Sequence, residues 1–289
     1  MKPAPFDYIR PHTIEEALQA LVDHQDRDVK LLAGGQSLIP MMNFRVAQPD
    51  VLIDLGHISS LAGIEKRGEY LCIGSMTRHA DVMVSEVVTR DAPLIGNAYN
   101  YVAHSTIRNR GTIGGSLAHA DPASEMPCVM LAHDARFRLR SLEGDRLVPA
   151  SEFFFAPFTT ALEPTEILVE ILLPCSSADE RHGFQEVSLR KGDFAIAAVA
   201  TRLRVRDGIC SAAAVSVAGV AGTPVRASAA ESLLIDQRLS EKVIKEAAAA
   251  VVDSIEFSNT ATITAEYRRD LTQVLTQRAL LNALQNGAG

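Results

Sequence analysis

Residues 111–127 read GTIGGSLAHADPASEMP and decide the interpretation of this chain. Three of the first five residues are glycine, and small residues, acids and prolines follow. Glycine and proline weaken the interior of helices and strands, so this composition predicts a loop. Because glycine has no Cβ, a backbone of this kind lets a ligand approach closely. The stretch is therefore the first candidate for a binding site.

A second glycine pair lies in residues 32–37, which read LAGGQS. Successive N–H groups in such turns form a concave site for an anion, and Ser37, Thr112 and Ser116 add hydroxyl donors. Two turns of the same layout predict a clamp that holds a pyrophosphate from two sides. A Gly-Gly pair is also commonly just a tight turn, and that alternative stays open at this point.

Several functional classes are excluded by missing patterns. The sequence has neither the G-x-G-x-x-G fingerprint nor a P-loop, and it lacks the H-E-x-x-H and G-x-S-x-G motifs. The net charge of -7 argues against nucleic-acid binding. The four cysteines are far apart in sequence, so we expect buried thiols and no metal site. We expect a cytoplasmic protein, because there is no signal peptide or apolar run of about 20 residues.

The first part of the chain alternates predicted helices and strands. A capping box at residues 13–16 starts a helix, and other starts are expected near Thr77 and Pro93. Apolar runs at 29–33, 51–55 and 70–74 predict buried strands, and 129–135 and 167–173 are again apolar. The polar segment 174–182 is the best candidate for a domain boundary.

The part after this boundary has a different pattern. Residues 200–206 alternate between arginine and apolar side chains, Asp207-Gly208 is a hairpin turn signal, and 212–220 predicts the returning strand. Three segments with helical periodicity follow, at 226–234, 241–252 and 265–284. We therefore expect a sheet covered by helices.

Three polar side chains in or after the opening stretch are candidate ligand contacts. His119 either faces a ligand or is a solvated loop histidine. The carboxyl groups of Asp121 and Glu125 suit ribose hydroxyls. The alternative, favoured for Asp121, is that Asp121 only starts the Asp-Pro turn and Glu125 only starts a short helix.

These motifs resemble one known family along nearly the whole chain. The segments that carry the resemblance are AGGQSLIPMM at 33–42, PDVLIDL at 49–55, IRNRGTIGGS at 107–116, AHADPASE at 118–125, FF at 153–154, EILVE at 166–170, KGDFA at 191–195 and YRRDL at 267–271. They are similar to the FAD-binding medium subunit of the molybdenum hydroxylases, the carbon monoxide dehydrogenase and xanthine dehydrogenase type.

The resemblance implies an α+β fold with two domains. Residues 1–177 are expected to form an FAD-binding domain of the vanillyl-alcohol oxidase and p-cresol methylhydroxylase type, with lobes at about 1–57 and 58–177. Residues 178–289 are expected to form a C-terminal domain of the carbon monoxide dehydrogenase flavoprotein type, with a three-stranded antiparallel sheet and helices.

The resemblance also implies which residues hold FAD. The pyrophosphate is expected between two sets of residues, which are Ala33, Gly34, Gly35, Gln36 and Ser37 on one side and Thr112, Ile113, Gly114, Gly115 and Ser116 on the other. Glu125 is expected on the ribose or adenine side and Leu168 at the adenine end, with Asp121 kept as a further contact. Lys191 and Phe194 are expected along the isoalloxazine, where Phe194 stacks on the ring and Lys191 adds positive charge or is simply exposed. Relatives carry a lysine at about the position of Gln185, so which residue tunes the flavin is open.

The implied function is electron transfer by an oxidoreductase subunit. FAD, bound noncovalently, takes electrons from two [2Fe-2S] clusters of a small subunit and passes them to a terminal acceptor. A large subunit with a molybdenum–pterin centre oxidises the substrate, and the expected assembly is a dimer of heterotrimers, that is, a heterohexamer. No residue of this chain is expected to act as a catalytic acid or base, and none to bind a metal. Two alternatives remain, a stand-alone flavoprotein oxidoreductase of the same fold and a non-catalytic nucleotide-binding scaffold.

Overall fold

A computed structural model describes residues 2–285 and contains four sheets with helices packed around them. The mixed architecture confirms the predicted α+β class. The sheets follow one another along the chain, so each can be described with its own helices.

The first sheet has three parallel strands in the order β1–β3–β2. Its elements are β1 (Asp7–Ile9), helix α1 (Ile14–Asp23), β2 (Val29–Leu32), helix α2 (Leu38–Asn43) and β3 (Val51–Asp54). The predicted capping residue is present, because the Thr13 side chain accepts the N–H of Glu16 at 3.1 Å. The buried face of α1, with Leu18 and Leu21, packs against Val51 and Ile53.

The second sheet is antiparallel, in the order β4–β5–β10–β6–β7. Its strands, with the separate hairpin β8–β9, are β4 (Ile64–Arg67), β5 (Tyr70–Gly74), β6 (Arg136–Ser141), β7 (Gly144–Pro149), β8 (Phe154–Ala156), β9 (Thr159–Thr160) and β10 (Ile167–Pro174). Six helices lie between β5 and β6, namely α3 (His79–Val84), α4 (Glu86–Asp91), α5 (Pro93–Tyr99), α6 (Ser105–Arg108), α7 (Ile113–His119) and α8 (Glu125–Ala132). The predicted strands at 51–55 and 70–74 are confirmed to within one residue, and the apolar run 167–173 lies in β10.

The third sheet begins within the polar segment 174–182, at Glu180, and is also antiparallel. Its strands are β11 (Glu180–Ser188), β12 (Ala195–Arg206), β13 (Ile209–Ala218) and β14 (Val225–Arg226), and three helices follow, α9 (Ser228–Leu234), α10 (Glu241–Asp253) and α11 (Ala265–Gln285). The predicted three strands are present, and the two-residue strand β14 adds a fourth to their edge. Asp207 and Gly208 form the expected turn, both with positive φ.

Helix α8 joins the second sheet's helices to the third sheet. It is buried along its whole length, which explains why the apolar run after residue 128 has no polar face. The Ser216 hydroxyl on β13 donates to the carbonyl oxygen of Cys128 on α8 at 2.7 Å. Ala198 and Ala200 of β12 belong to the same apolar core as Met126 and Val129. The two parts of the chain therefore share a continuous core at this contact.

Three further observations concern residues 2–285 as a whole. None of the helices combines the length and apolar character that a membrane crossing needs. No group of three or more histidine, cysteine or acidic side chains in this part of the chain could hold a metal ion. The four cysteines are unpaired thiols, and Cys72, Cys128 and Cys210 are buried.

Candidate functional site

The first glycine pair forms a turn between β2 and α2 with exposed hydrogen-bond donors. Within residues 2–285, the backbone N–H groups of four consecutive residues, 34–37, have no acceptor in hydrogen-bond range. The Gln36 side chain donates to the carbonyl oxygen of Gly34 at 3.2 Å and steadies the turn. Successive free N–H groups of this kind form an anion-binding concavity. The turn therefore has the free donors that the predicted clamp needs on this side.

The second glycine pair corrects the prediction of a loop, because Gly114 and Gly115 lie in the first turn of helix α7. Thr112 caps this helix, and its hydroxyl accepts the N–H of Gly115 at 3.1 Å. The N–H groups of Ile113 and Gly114 are bonded to the carbonyl oxygens of Thr77 and Ser75. Tertiary hydrogen bonds thus compensate for the low helix propensity of glycine.

This pattern also corrects the expected role of the second stretch as an open nest. The four N–H groups of residues 113–116 are all satisfied inside the protein, the last by the carbonyl oxygen of Thr112 at 3.1 Å. Thr112 and Ile113 are buried, while Gly115 and Ser116 are half-buried. An anion would meet the helix dipole and the Ser116 hydroxyl here, and not a row of free amides.

The two glycine segments nevertheless lie against each other, as the clamp hypothesis requires. A Cβ on Gly34 would be 2.3 Å from the carbonyl oxygen of Arg110 and 2.6 Å from the Cα of Gly111. A Cβ on Gly115 would be 3.1 Å from that of Ala33. Glycine is required at Gly34 because the two backbones are in contact there. The sequence spacing alone could not predict this contact.

His79 holds the second segment in place from behind. Its backbone N–H donates to the carbonyl oxygen of Gly111 at 3.0 Å, and its Nδ1 lies 3.0 Å from the Tyr99 hydroxyl. Burial lowers the pKa of His79 to about 4, with a smaller contribution from the nearby Arg108. The imidazole is therefore neutral and serves as a fixed support for the turn that precedes α7.

The first glycine segment lines a cleft of about 590 Å³. Arg78 and Arg110 lie on the wall of this cleft, and the Arg78 guanidinium donates to the carbonyl oxygen of Arg110. Asp54, also on the wall, already accepts the Tyr8 hydroxyl at 2.5 Å and the N–H of Gly56 at 2.8 Å. The cleft thus combines free amides with two guanidinium groups, which suits an anion. Sequence reasoning missed both arginines, although Arg110 directly precedes the opening stretch.

The acids after α7 have different surroundings. The Asp121 carboxylate accepts the N–H of Ala123 at 2.9 Å, which is the turn-forming role that the sequence favoured. Glu125 begins α8 and is buried. Burial raises the pKa of the Glu125 carboxyl to about 7, and the charge of Asp121 adds a smaller effect in the same direction. Glu125 is thus a buried acid that stays protonated far more readily than a surface glutamate.

The other expected FAD contacts are spread over a wider surface. Leu168 is buried in β10, within the core of the second sheet. Lys191 and Phe194 are exposed, and Phe194 retains 58% of its accessible surface. The turn that carries them packs on the segment before α6, because a Cβ on Gly192 would be 2.7 Å from the His104 ring. None of these three residues lines the cleft at Gly34–Gln36.

His119 and Phe158 form an aromatic pair at the end of α7, with ring centroids 5.1 Å apart. Burial lowers the pKa of His119, so the ring is neutral at physiological pH. The backbone N–H of Phe158 donates to the carbonyl oxygen of Ala120 at 3.0 Å, which fixes the β8–β9 hairpin on this segment. His119 therefore has a packing partner, and the solvated-loop alternative is wrong.

Comparison with known proteins gives consistent matches along the chain. Residues 4–176 match the family model described as the FAD binding domain in molybdopterin dehydrogenase. Residues 182–283 match the model of the CO dehydrogenase flavoprotein C-terminal domain. Together these two matches leave only short segments of the chain unassigned.

Individual relatives match over nearly their full length. The chain is 40% identical to the 6-hydroxypseudooxynicotine dehydrogenase complex subunit alpha of Paenarthrobacter nicotinovorans, over 98% of this chain and 96% of the relative. It is 35% identical to the carbon monoxide dehydrogenase medium chain of Hydrogenophaga pseudoflava, over 97% of both. A solved carbon monoxide dehydrogenase from Hydrogenophaga pseudoflava has a chain that superposes with a TM-score of 0.96, at 36% identity and 99% coverage of each chain.

Proposed function

Because this chain belongs to the FAD-binding medium subunits of the molybdenum hydroxylases, the carbon monoxide and xanthine dehydrogenase type, we propose that it is the electron-transfer subunit of such an enzyme. In this role it takes electrons from the [2Fe-2S] clusters of a small subunit and delivers them to a terminal acceptor. The chain is an oxidoreductase subunit with an FAD-binding domain. FAD supplies the redox centre, which can exchange electrons singly or in pairs.

The observation that carries this proposal is the row of free N–H groups at residues 34–37, beside two guanidinium groups. The FAD pyrophosphate is an anion that fits these donors, and the cleft of about 590 Å³ has room for part of a dinucleotide. Gly34 allows the two glycine segments to touch, because the Arg110 backbone fills the position that a Cβ would take. The residues present therefore fit the group that the family implies.

We assign the pyrophosphate to the space between Ala33–Ser37 and the start of α7, with Arg78 and Arg110 as added counter-charges. Residues 112–116 do not line this cleft. From this segment we assign a hydroxyl contact to Ser116, and to Thr112, Ile113, Gly114 and Gly115 the support of the helix start that carries it. Glu125 is assigned to the ribose and Asp121 to the turn that presents it. Leu168 is assigned to the adenine end, and Lys191 and Phe194 to the isoalloxazine.

We further propose that two partner subunits complete the enzyme. The names of the relatives, such as medium chain and subunit alpha, describe parts of larger complexes. The proposed partners are a large molybdenum–pterin subunit and a small subunit with two [2Fe-2S] clusters, assembled as a dimer of heterotrimers.

The proposed division of the chain is an FAD-binding domain at 1–177 and a C-terminal domain at 178–289. The first domain has a break near residue 57, between the parallel sheet and the antiparallel sheet. The polar segment between β10 and β11 supports the boundary near 177. The proposed roles of the two parts are cofactor binding and support of the cofactor site from one side.

Purification of the full-length chain from its native source tests this function. We expect a yellow protein that contains FAD, copurifies with two partners, and comes with iron and molybdenum in the complex. Acid precipitation should release the flavin into the supernatant, because we propose noncovalent binding. A colourless protein would support the scaffold alternative, and a yellow monomer that oxidises a substrate alone would support the stand-alone flavoprotein.

A further inference from the structure

Strand β11 presents alternate side chains to the two parts of the protein. Phe184 and its cross-strand partner Ala200 lie in the core that β11 shares with α8. Glu186 pairs with Ala198, which belongs to the same core, so its side chain is on the same face. Gln185 pairs with Val199, which lies in the other core, under the C-terminal helices. The residue that β11 turns toward the proposed flavin domain is therefore Glu186 and not Gln185.

Glu186 is an unusual side chain for this position, because it is buried without a partner. It retains 9% of its accessible surface. Neither carboxyl oxygen has a hydrogen-bond partner anywhere in residues 2–285. An unpaired carboxylate at this depth is costly, and a buried polar group of this kind calls for a functional or ligand-related explanation.

The titratable groups that face Glu186 offer it no positive charge. Those whose charges interact with it are Glu125, Cys128 and Tyr101. Glu125 in turn faces Asp121 as well, and it interacts with Tyr99 and Cys128. Each of these groups is neutral when protonated and negative when it loses its proton, so none of them carries a positive charge. The surroundings thus oppose a negative charge on Glu186.

Two buried carboxyl groups whose charges interact cannot both ionise easily, so ionisation of one raises the pKa of the other. Burial, with a smaller contribution from the charge of Glu125, raises the pKa of Glu186 to about 8. Burial likewise raises the pKa of Glu125 to about 7. Because the two groups interact, each pKa depends on the charge of the other group. Both pKa values are raised.

We propose that Glu186 is a positioning residue of the flavin site, which must be a neutral acid for Glu125 to bind the ribose and for FAD to bind tightly. This inference rests on the proposed function, because it assumes that Glu125 accepts hydrogen bonds from the ribose. Glu125 does this best as a carboxylate, and the proton of the pair then resides on Glu186. Loss of that proton adds a second negative charge beside Glu125 and a cofactor that is itself an anion.

FAD affinity of the full chain should therefore depend on pH on the alkaline side. The protein that binds FAD has Glu186 protonated, whereas the free protein at high pH has lost this proton. The dissociation constant of FAD should therefore rise by up to about tenfold per pH unit above the pKa of Glu186. The variant Glu186→Gln has no proton to lose, and its FAD affinity should be flat over the same range. The control Glu143→Gln removes an exposed carboxylate in the β6–β7 turn and should keep the wild-type profile.

The measurement is FAD titration of the flavin-depleted full chain, followed by fluorescence between pH 6 and 10. An alkaline limb that is identical in the wild type and Glu186→Gln would overturn the inference, as would an equal loss of affinity at every pH. Failure of the wild type to bind FAD at any pH would instead overturn the proposed function.

A second measurement needs no variant and covers the case in which Glu186→Gln does not fold. Calorimetric titration of the wild type with FAD, in buffers of different ionisation enthalpy, reports the protons taken up on binding. We expect uptake that approaches one proton per FAD above the pKa of Glu186 and turns into release near pH 6, where Glu125, with a pKa of about 7, must lose its proton to bind the ribose. Uptake that stays at zero across the range would contradict the role of Glu186.

Discussion

The backbone of Gly34 lies directly against the carbonyl of Arg110, so that a Cβ on Gly34 would be 2.3 Å from that oxygen. This contact joins the turn with free N–H groups to the segment that leads into α7. The contact fixes the position of the 34–37 turn relative to the segment before α7. A side chain at Gly34 would therefore disturb both segments at once.

The substitution Gly34→Ala should separate the two glycine segments. A methyl group forced into a backbone contact typically costs about 1–3 kcal/mol, and here the neighbour cannot rotate away. We expect lower FAD content and a lower free energy of unfolding, measured by absorbance and by urea titration. Gly96→Ala is the control, since a Cβ on Gly96 meets nothing within 4 Å and the site is in a helix. Equal effects of the two substitutions would contradict the contact.

Arg78 and Arg110 should contribute to FAD affinity through their charge. Removal of a charge-assisted hydrogen bond typically costs about 1.5–3 kcal/mol, or about ten- to a hundredfold in affinity. Arg78→Met and Arg110→Met should each weaken FAD binding and reduce its dependence on ionic strength. Arg136→Met, at an exposed position of β6, is the matched control. Unchanged affinity in both cleft variants would place the pyrophosphate elsewhere.

The stacked pair His133 and His182 should make stability depend on pH in the acid range. Their ring centroids are 6.5 Å apart, and the groups that face them are Arg202, Arg181 and Glu180. Burial lowers the pKa of His182 to about 4 and that of His133 well below its usual value, in each case with Arg202 adding to the effect. Both histidines are therefore neutral in the folded protein.

Because the folded-state values are depressed, the unfolded chain binds these protons first. Stability is then complete above about pH 6.5 and declines as the pH falls toward 4, by about 1.4 kcal/mol per pH unit for each histidine. The variant His182→Phe should lower the dependence of the free energy of unfolding on pH by the share of one histidine. Urea unfolding between pH 7 and 4.5 measures this dependence. A slope that His182→Phe leaves unchanged would show that other groups cause the decline.

The ion pair between Arg202 and Glu180 should stabilise the start of the C-terminal sheet. The guanidinium donates to both carboxylate oxygens at 2.8 Å, and the Glu180 side chain retains only 3% of its accessible surface. Arg202→Met leaves this carboxylate buried with only the longer contact from Arg204 and should cost about 3–5 kcal/mol.

The double variant Arg202→Met/Glu180→Gln tests the origin of that cost. It should recover part of the lost stability, because the uncompensated charge is gone. Unfolding by urea at pH 7, analysed as a double-mutant cycle, measures the coupling. Additive effects of the two substitutions would mean that the pair does not interact in solution.

Local patterns determined much of this fold from the sequence. The helix that begins after Thr13, the strands near residues 51 and 70, and the turn at Asp207-Gly208 lie where they were predicted. Each of these depends on neighbours within a few residues, such as a capping hydroxyl or a run of apolar side chains. The two glycine pairs also identified the region of the candidate site.

Only the tertiary structure decided what those glycines do. Gly114 and Gly115 predicted a loop, but carbonyl groups of Ser75 and Thr77, nearly forty residues earlier in the chain, satisfy the first N–H groups of α7 and make a helix possible. In the same way, Glu186 was one of many glutamates until its register with Ala198 placed it on the face of β11 that meets the FAD-binding domain's core, because the face of a strand depends on its register in the sheet. Partners distant in sequence thus set the charge and the shape of the site, and no local pattern records them.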